Sequence, residues 1–346
     1  MIRRQALHRL SLLAGVSALP QSGFALATPN PMILSIDGPL IVTNNLPRQR
    51  ELFEGVFGLS LVSDQELDGS TVNALFGVTG RTARTVLLET RGTSVGVRLV
   101  EFRPSSAIAV RERARPIDAD ALKVIDFMVP DFDKAVASLA LRGFKLAGPP
   151  AEYSVPPDGR FTEGHIEGPD GITCALLKMH QASPGKYVRV TDRIFSEILG
   201  VSGPVSDRNA AIAFYQEVLG LETVVSYEIE NESFQKLLGS KEKTLLRGAN
   251  FGLDSRAPMM GVIHYGLPPS AFSSLREVSV LPNRGLQAIR LSAKSVGSIA
   301  RKASAAGIEI LVPPTETVLF PQGRVKSLLI RAPHGVIHHF TETITP

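Results

Sequence analysis

A single cysteine, Cys174, rules out any intramolecular disulfide in this chain. It sits in "GITCALLK", an apolar run that reads as a buried strand, so a small core residue fits it better than a nucleophile. Outside the N-terminus no apolar run approaches the ~18 residues of a transmembrane helix. Blocks of basic residues interleaved with aromatics are also missing, which sets nucleic acid aside as a partner. The positive charge is nearly all at the start of the chain. Residues 1–27 hold three of the 37 lysines and arginines and no acid, leaving 34 bases against 33 acids. What remains is ordinary globular composition, 44% hydrophobic and 20% charged, in 346 residues, enough for two domains.

The first 27 residues read as an export signal. Arg3, Arg4 and Arg9 make a positive start, "LSLLAGVSAL" (10–19) is a short apolar run, and "ALA" (25–27) offers a cleavage site. The paired arginines resemble a twin-arginine (Tat) signal, with Ala6 standing where that motif usually has phenylalanine. The expected destination is the bacterial periplasm or the cell exterior.

The rest of the chain repeats one grammar four times. Asp207 caps a helix whose Ile212, Tyr215, Val218 and Leu219 share a face, Gly220 ends it, and "LETVVSYEIE" follows as a strand. Asn45 and Gly58, Asp131 and Gly143, and Ser295 and Gly307 bracket the other three helices. The second and fourth copies align without gaps at an offset of 164, "GFKLAGPP" over "GIEILVPP" and "GPDG" over "APHG"; the first and third align at 162. Shared glycines and prolines at one offset imply shared turn geometry. Each copy opens on an apolar strand and has further strands after its helix. The unit is βαβββ, an α+β fold, and such a unit needs a partner to complete its sheet.

Fourfold βαβββ with "AAIAFYQEVLGL" and "GPDG" turns resembles the vicinal oxygen chelate superfamily, which includes glyoxalase I, bleomycin resistance proteins and extradiol dioxygenases. The resemblance covers most of residues 35–344. It implies two curved-sheet domains, expected at 35–180 (modules 1 and 2) and 187–344 (modules 3 and 4). It also implies a divalent metal in a cup, held by His, Gln or Glu on the first and last strands of each module. Here the first-strand positions fall on Gly38, Val124, Gly200 and Ala288, none of which can bind a metal. The last-strand positions fall on Ala175, His339, the neighbourhood of His264, and Arg98 or Leu99. The usual triad is therefore not expected.

The expectation is that no cofactor binds. Iron or zinc on His264 and His339 is the alternative. His338 and His339 are adjacent in a strand, so one of them must face the helices. Asp126 and Arg290 sit at equivalent positions, and alternation points both into their cups. A charge there needs a partner or a ligand, which makes Arg290, His264, His339 and Asp126 the candidate ligand-binding residues, for an anionic, partly apolar small molecule. Glu163 and His165 are candidates in the second cup. Three classes of function stay open: an enzyme of lyase, isomerase or dioxygenase type, a non-catalytic binding or sequestering protein, and a structural remnant whose cups are filled with side chains.

Overall fold

The computed structural model describes residues 32–112, 117–157, 159–256 and 258–344; the expected export signal at 1–27 lies outside them. All four helix starts form as the sequence dictates. The side chains of Asn45, Asp131, Asp207 and Ser295 each accept a hydrogen bond from the backbone N–H three residues on. Gly58, Gly143, Gly220 and Gly307 all take left-handed conformations, with φ between 68° and 69°, and end the helices.

Module 1 contains strands β1 (Ile33–Val42), β2 (Ser60–Leu67), β3 (Thr82–Glu89) and β4 (Gly96–Arg103). Its helix α1 (Leu46–Arg50) runs on as a π-helical turn, Glu51–Val56, and a second helix, α2 (Gly69–Phe76), follows β2. Module 2 has β5 (Val124–Met128), α3 (Phe132–Ala140), β6 (Ala151–Val155), β7 (Gly159–Glu167) and β8 (Thr173–Met179). Module 3 repeats the plan of module 1: β9 (Ile198–Pro204), α4 (Arg208–Ala213) with a π-helical continuation, β10 (Glu222–Ile229), α5 (Glu232–Leu238), β11 (Leu246–Gly252) and β12 (Met259–His264). Module 4 has β13 (Gly285–Ala293), α6 (Val296–Ala305), β14 (Glu309–Leu319), β15 (Gly323–Arg331) and β16 (Ile337–Thr343).

Two curled sheets of eight strands result. One runs β14-β15-β16-β13-β1-β4-β3-β2 and joins modules 1 and 4; the other runs β10-β11-β12-β9-β5-β8-β7-β6 and joins modules 2 and 3. The units expected at 35–180 and 187–344 are therefore not the pairs that share a sheet. The reason lies at the seams. In one, Gly38 faces Arg290 across an antiparallel pair; in the other, Gly200 faces Asp126. Both seams place a glycine of an odd module opposite a charged residue of an even one. This does not choose which even module, and longer-range packing makes that choice.

That packing is one core between the helix-covered faces of both sheets. Phe57 of module 1 stacks on Phe127 of module 2 with ring centroids 4.0 Å apart, and Phe195 meets Phe57 edge-on at 4.9 Å. Tyr215 of module 3 places its hydroxyl 3.2 Å from the Nε2 atoms of both His334 and His338 of module 4. Cys174 is fully buried in the same core. The stretch 103–119, read from sequence as an exposed connector, is exposed only in part. Val110, Arg111, Asp118 and Ala119 are buried, because Arg111 grips Asp118 through two hydrogen bonds of 2.9 and 2.7 Å.

Candidate functional site

The concave face of each sheet forms a cup, and the two cups differ in what fills them. In the cup of modules 1 and 4, α2 lowers Val72, Leu75 and Phe76 onto Val100, Phe102, Val325 and Leu329. Arg98 reaches across to Thr85 Oγ1 (3.2 Å) and to the carbonyl of Phe320 (3.0 Å), with no exposed surface. Arg290 donates to the carbonyls of Asp37 (2.6 Å), Gly96 (2.8 Å) and Pro39 (3.3 Å). His339 lies on the ring of Phe76 and bonds Ser327 Oγ at 2.9 Å. Burial, with Arg98 and Arg290 nearby, pushes the His339 pKa down to about 3, so the ring is neutral. All three side chains are buried in this cup.

The cup of modules 2 and 3 is hollow, with a cavity of about 140 Å³. Its wall is mostly apolar and aromatic, including Phe161, Tyr187, Phe234, Leu238 and Met259. The cause can be read position by position. Arg98 lies beside Leu40 in one seam as Gly261 lies beside Ser202 in the other. Arg290 pairs with Gly38 and His339 in one cup; at the same positions Asp126 pairs with Gly200 and Ala175. Two arginines and a histidine are thus replaced by glycine, aspartate and alanine, and the lost side-chain volume is the cavity. A second glycine, Gly248, lets the Tyr227 ring lie flat against the wall, since a Cβ there would sit 2.1 Å from Tyr227 Cζ.

One polar cluster interrupts the apolar wall. Glu163 accepts from the Tyr153 hydroxyl at Oε2 (2.5 Å) and meets His165 Nε2 at Oε1 (2.7 Å). Asp126 lines the same cavity, is half-buried there, and is hydrogen-bonded by Ser202. Burial, and then the charge of Glu163, raise its carboxyl well above the ordinary aspartate range. Burial likewise raises Tyr153 and Tyr227, so both phenols stay protonated. At one end Lys123 approaches Tyr265 Oη (3.5 Å) and Asp118 Oδ2 (3.8 Å), and burial pushes it down to about 8.

The structure brings together Asp126, Glu163 and His165. It separates the other expected site residues. Arg290 and His339 belong to the filled cup, whereas His264 is in the other sheet, so the two histidines cannot hold one ion or share one ligand. His264 is also on the wrong face: Met259, Gly261, Ile263 and Tyr265 line the cavity, and alternation turns His264 away. Its Nδ1 accepts from the Gly266 N–H at 3.1 Å. Of the adjacent pair, His338 faces the helices and His339 faces a cup. Tyr153, Tyr227, Ser202 and Lys123 were not singled out from sequence. The alternation in "AEYSV", which puts Tyr153 on the face of Ala151 and Val155, is the one local signal for any of them.

The metal implied by the resemblance does not fit these residues. Gly38, Val124, Gly200, Ala288 and Ala175 offer no donor, and both oxygens of Glu163 are occupied by Tyr153 and His165. Among the described residues, no group of three or more His, Cys, Asp or Glu side chains is placed to hold a metal ion.

A family profile described as the Glyoxalase/Bleomycin resistance protein/Dioxygenase superfamily matches residues 200–337. The matched stretch lies within modules 3 and 4. Solved structures agree in fold. Glyoxalase I from Zea mays is 13% identical with a TM-score of 0.58, over 89% of this chain and 92% of its own; a point mutant of the same maize enzyme is 14% identical, with a TM-score of 0.59 over 89% and 94%. A Bacillus subtilis protein assigned to the dioxygenases is 9% identical, with a TM-score of 0.58 over 91% and 87%. No curated protein matches the chain. Among the described residues no helix is long and apolar enough to cross a membrane.

Proposed function

We propose that this chain belongs to the superfamily and binds a small, largely apolar molecule carrying a hydrogen-bonding oxygen in the cup of modules 2 and 3. The observation that carries the reading is the cavity of about 140 Å³, whose apolar wall is broken by one buried polar cluster. An apolar wall supplies affinity, and a few fixed polar groups supply orientation. The anionic ligand that Arg290 would favour is set aside, because its buried guanidinium donates to three backbone carbonyls.

Met128 and Met259 line the cavity and report on it directly. In a spectrum of the methionine methyl groups, small aromatic alcohols and ketones should shift these two signals and leave Met32 in place. Ala175→Phe should abolish the shifts. Probes that leave both methyls unmoved would sink the reading. We also infer export before function, on the strength of the arginine pair and the "ALA" preceding Thr28. Mass spectrometry of the protein from its native host should find a terminus near Thr28; an intact Met1 would count against export.

A further inference from the structure

A buried lysine lines the hollow cup. Lys123 stands immediately before β5, where its backbone N–H donates to the carbonyl of Ser202 (2.9 Å), and it shares the cavity wall with Ser202 and Tyr265. Its side chain is 6% exposed, with Nζ 3.5 Å from Tyr265 Oη and 3.8 Å from Asp118 Oδ2. Arg111 holds both oxygens of that same carboxylate, so two buried cations meet one acid. The matching position in the filled cup, at the repeat offset of 164, is Gln287. Its neutral amide donates to the carbonyls of Val280 (3.2 Å) and Asn283 (2.5 Å). The repeated unit thus does not require a charge at this position. A cationic amine is costly to bury, and it occurs in the cup that has room for a ligand. We propose that Lys123 captures the ligand of this cup by forming an imine with a small, largely apolar aldehyde. This inference rests on the reading of this cup as the ligand site.

A lysine is a nucleophile only as its neutral amine. Burial pushes Lys123 down to about 8; Asp118 opposes the shift and Arg111 adds to it. The step balances without an oxidant or cofactor. The ammonium first releases one proton to solvent. The nitrogen lone pair then bonds to the carbonyl carbon, and the carbonyl π pair moves to oxygen. One proton passes from nitrogen to that oxygen, giving a carbinolamine. The hydroxyl leaves with the last nitrogen proton as water, and the C=N bond forms. Tyr265, kept protonated by burial, stands 3.5 Å from the nitrogen as a hydroxyl that can relay the proton. An aldehyde, with one substituent fewer than a ketone on the reacting carbon, meets a buried nitrogen with less crowding. The apolar wall takes the rest of the molecule.

The test uses the full chain, benzaldehyde and sodium cyanoborohydride, which reduces an imine to a stable benzylamine. Peptide mapping by mass spectrometry locates the added benzyl group. At pH 7 Lys123 should be labelled at least about tenfold faster than exposed Lys134, because a pKa lowered by one unit or more raises the neutral fraction about tenfold. The rate at Lys123 should level off above about pH 8. Ala175→Phe fills the cavity and should abolish labelling of Lys123, with Lys134 labelled as before and the Met32 methyl signal in place to show that the variant is folded. Without the reductant, benzaldehyde should shift the Met128 and Met259 methyl signals. Methyl shifts with no label on Lys123, label there no faster than on Lys134, or label that Ala175→Phe leaves unchanged each overturn the imine and leave the ligand site standing. Absence of both benzaldehyde shifts and label also overturns the imine. Methyls unmoved by small aromatic alcohols and ketones as well overturn the site itself.

Discussion

The two cups of this chain are built from the same unit and have opposite interiors. In modules 1 and 4, Arg98, Arg290 and His339 occupy the floor, and their polar atoms bond mainly to backbone carbonyls and hydroxyls. In modules 2 and 3 the matching positions are Gly261, Asp126 and Ala175, and the space is left open. Both solutions meet the same constraint, that a polar group in a cup must have a partner. The filled cup meets it in most part internally, with Arg98 Nε and His339 Nδ1 left without a hydrogen-bond partner. The hollow cup satisfies it with a small cluster and retains room for a ligand. Duplication thus allows one copy to carry stability while the other carries a site.

The sharpest way to break this comparison is to remove the plug. Arg290→Leu leaves the carbonyls of Asp37, Gly96 and Pro39 without their donor and should cost about 3–5 kcal/mol, the range for a broken buried charged network. Urea denaturation measures it. Where the variant is folded, the Met128 and Met259 signals should respond to probes as in the parent, because Arg290 is in the other sheet. Lost probe binding with unchanged stability would mean that the roles of the cups have been assigned the wrong way round. The converse change fills the hollow cup. Ala175→Phe should cost about 1–3 kcal/mol from overpacking and eliminate probe binding. Full binding by that variant would place the ligand elsewhere.

Much of this was legible in the chain. The four caps and four helix-ending glycines are local signals, and each did what its chemistry requires. Alternation correctly turned Asp126 and Arg290 into cups and divided His338 from His339. The pairing of modules was not legible, since a repeat specifies the unit and the parity of its seam, whereas contacts such as Phe57 on Phe127 decide the partner. The site depends on that pairing. With modules 3 and 4 taken as partners, His264 and His339 would share a cup, and Arg290 would have a ligand to meet. Once module 2 is paired with module 3, Asp126 joins Glu163 and His165 instead. Alternation gave the face of Tyr153 but not its cup, and Tyr227 had no such signal, because only the tertiary curl brings the edge strands β6 and β10 over the cavity.

A last effect sets the buried histidines against the acid of the hollow cup, through the dependence of stability on pH. Burial holds His338 and His339 near a pKa of about 3, against an ordinary 6.5, and holds His334 well below that ordinary value. The unfolded chain therefore binds these protons first, and the stability they contribute is present above pH 6.5 and is lost as pH falls toward 3. Asp126 works the other way. Its folded carboxyl is raised, so the unfolded chain releases that proton first, above about 3.8, and stability declines as pH rises toward the folded value. Between pH 4 and 6.5 the two trends oppose each other, with the raised carboxyls of Asp37 and Glu89 acting in the same direction as Asp126. Asp126→Asn keeps a hydrogen-bonding side chain beside Ser202 and removes only that residue's share of the opposing slope. Its stability relative to the parent should therefore grow with pH, by up to about 1.4 kcal/mol per unit. His339→Gln should instead flatten the acid limb. Denaturation curves at several pH values between 4 and 7 measure both. A constant difference between Asp126→Asn and the parent would mean that Asp126 is ionised in the folded protein.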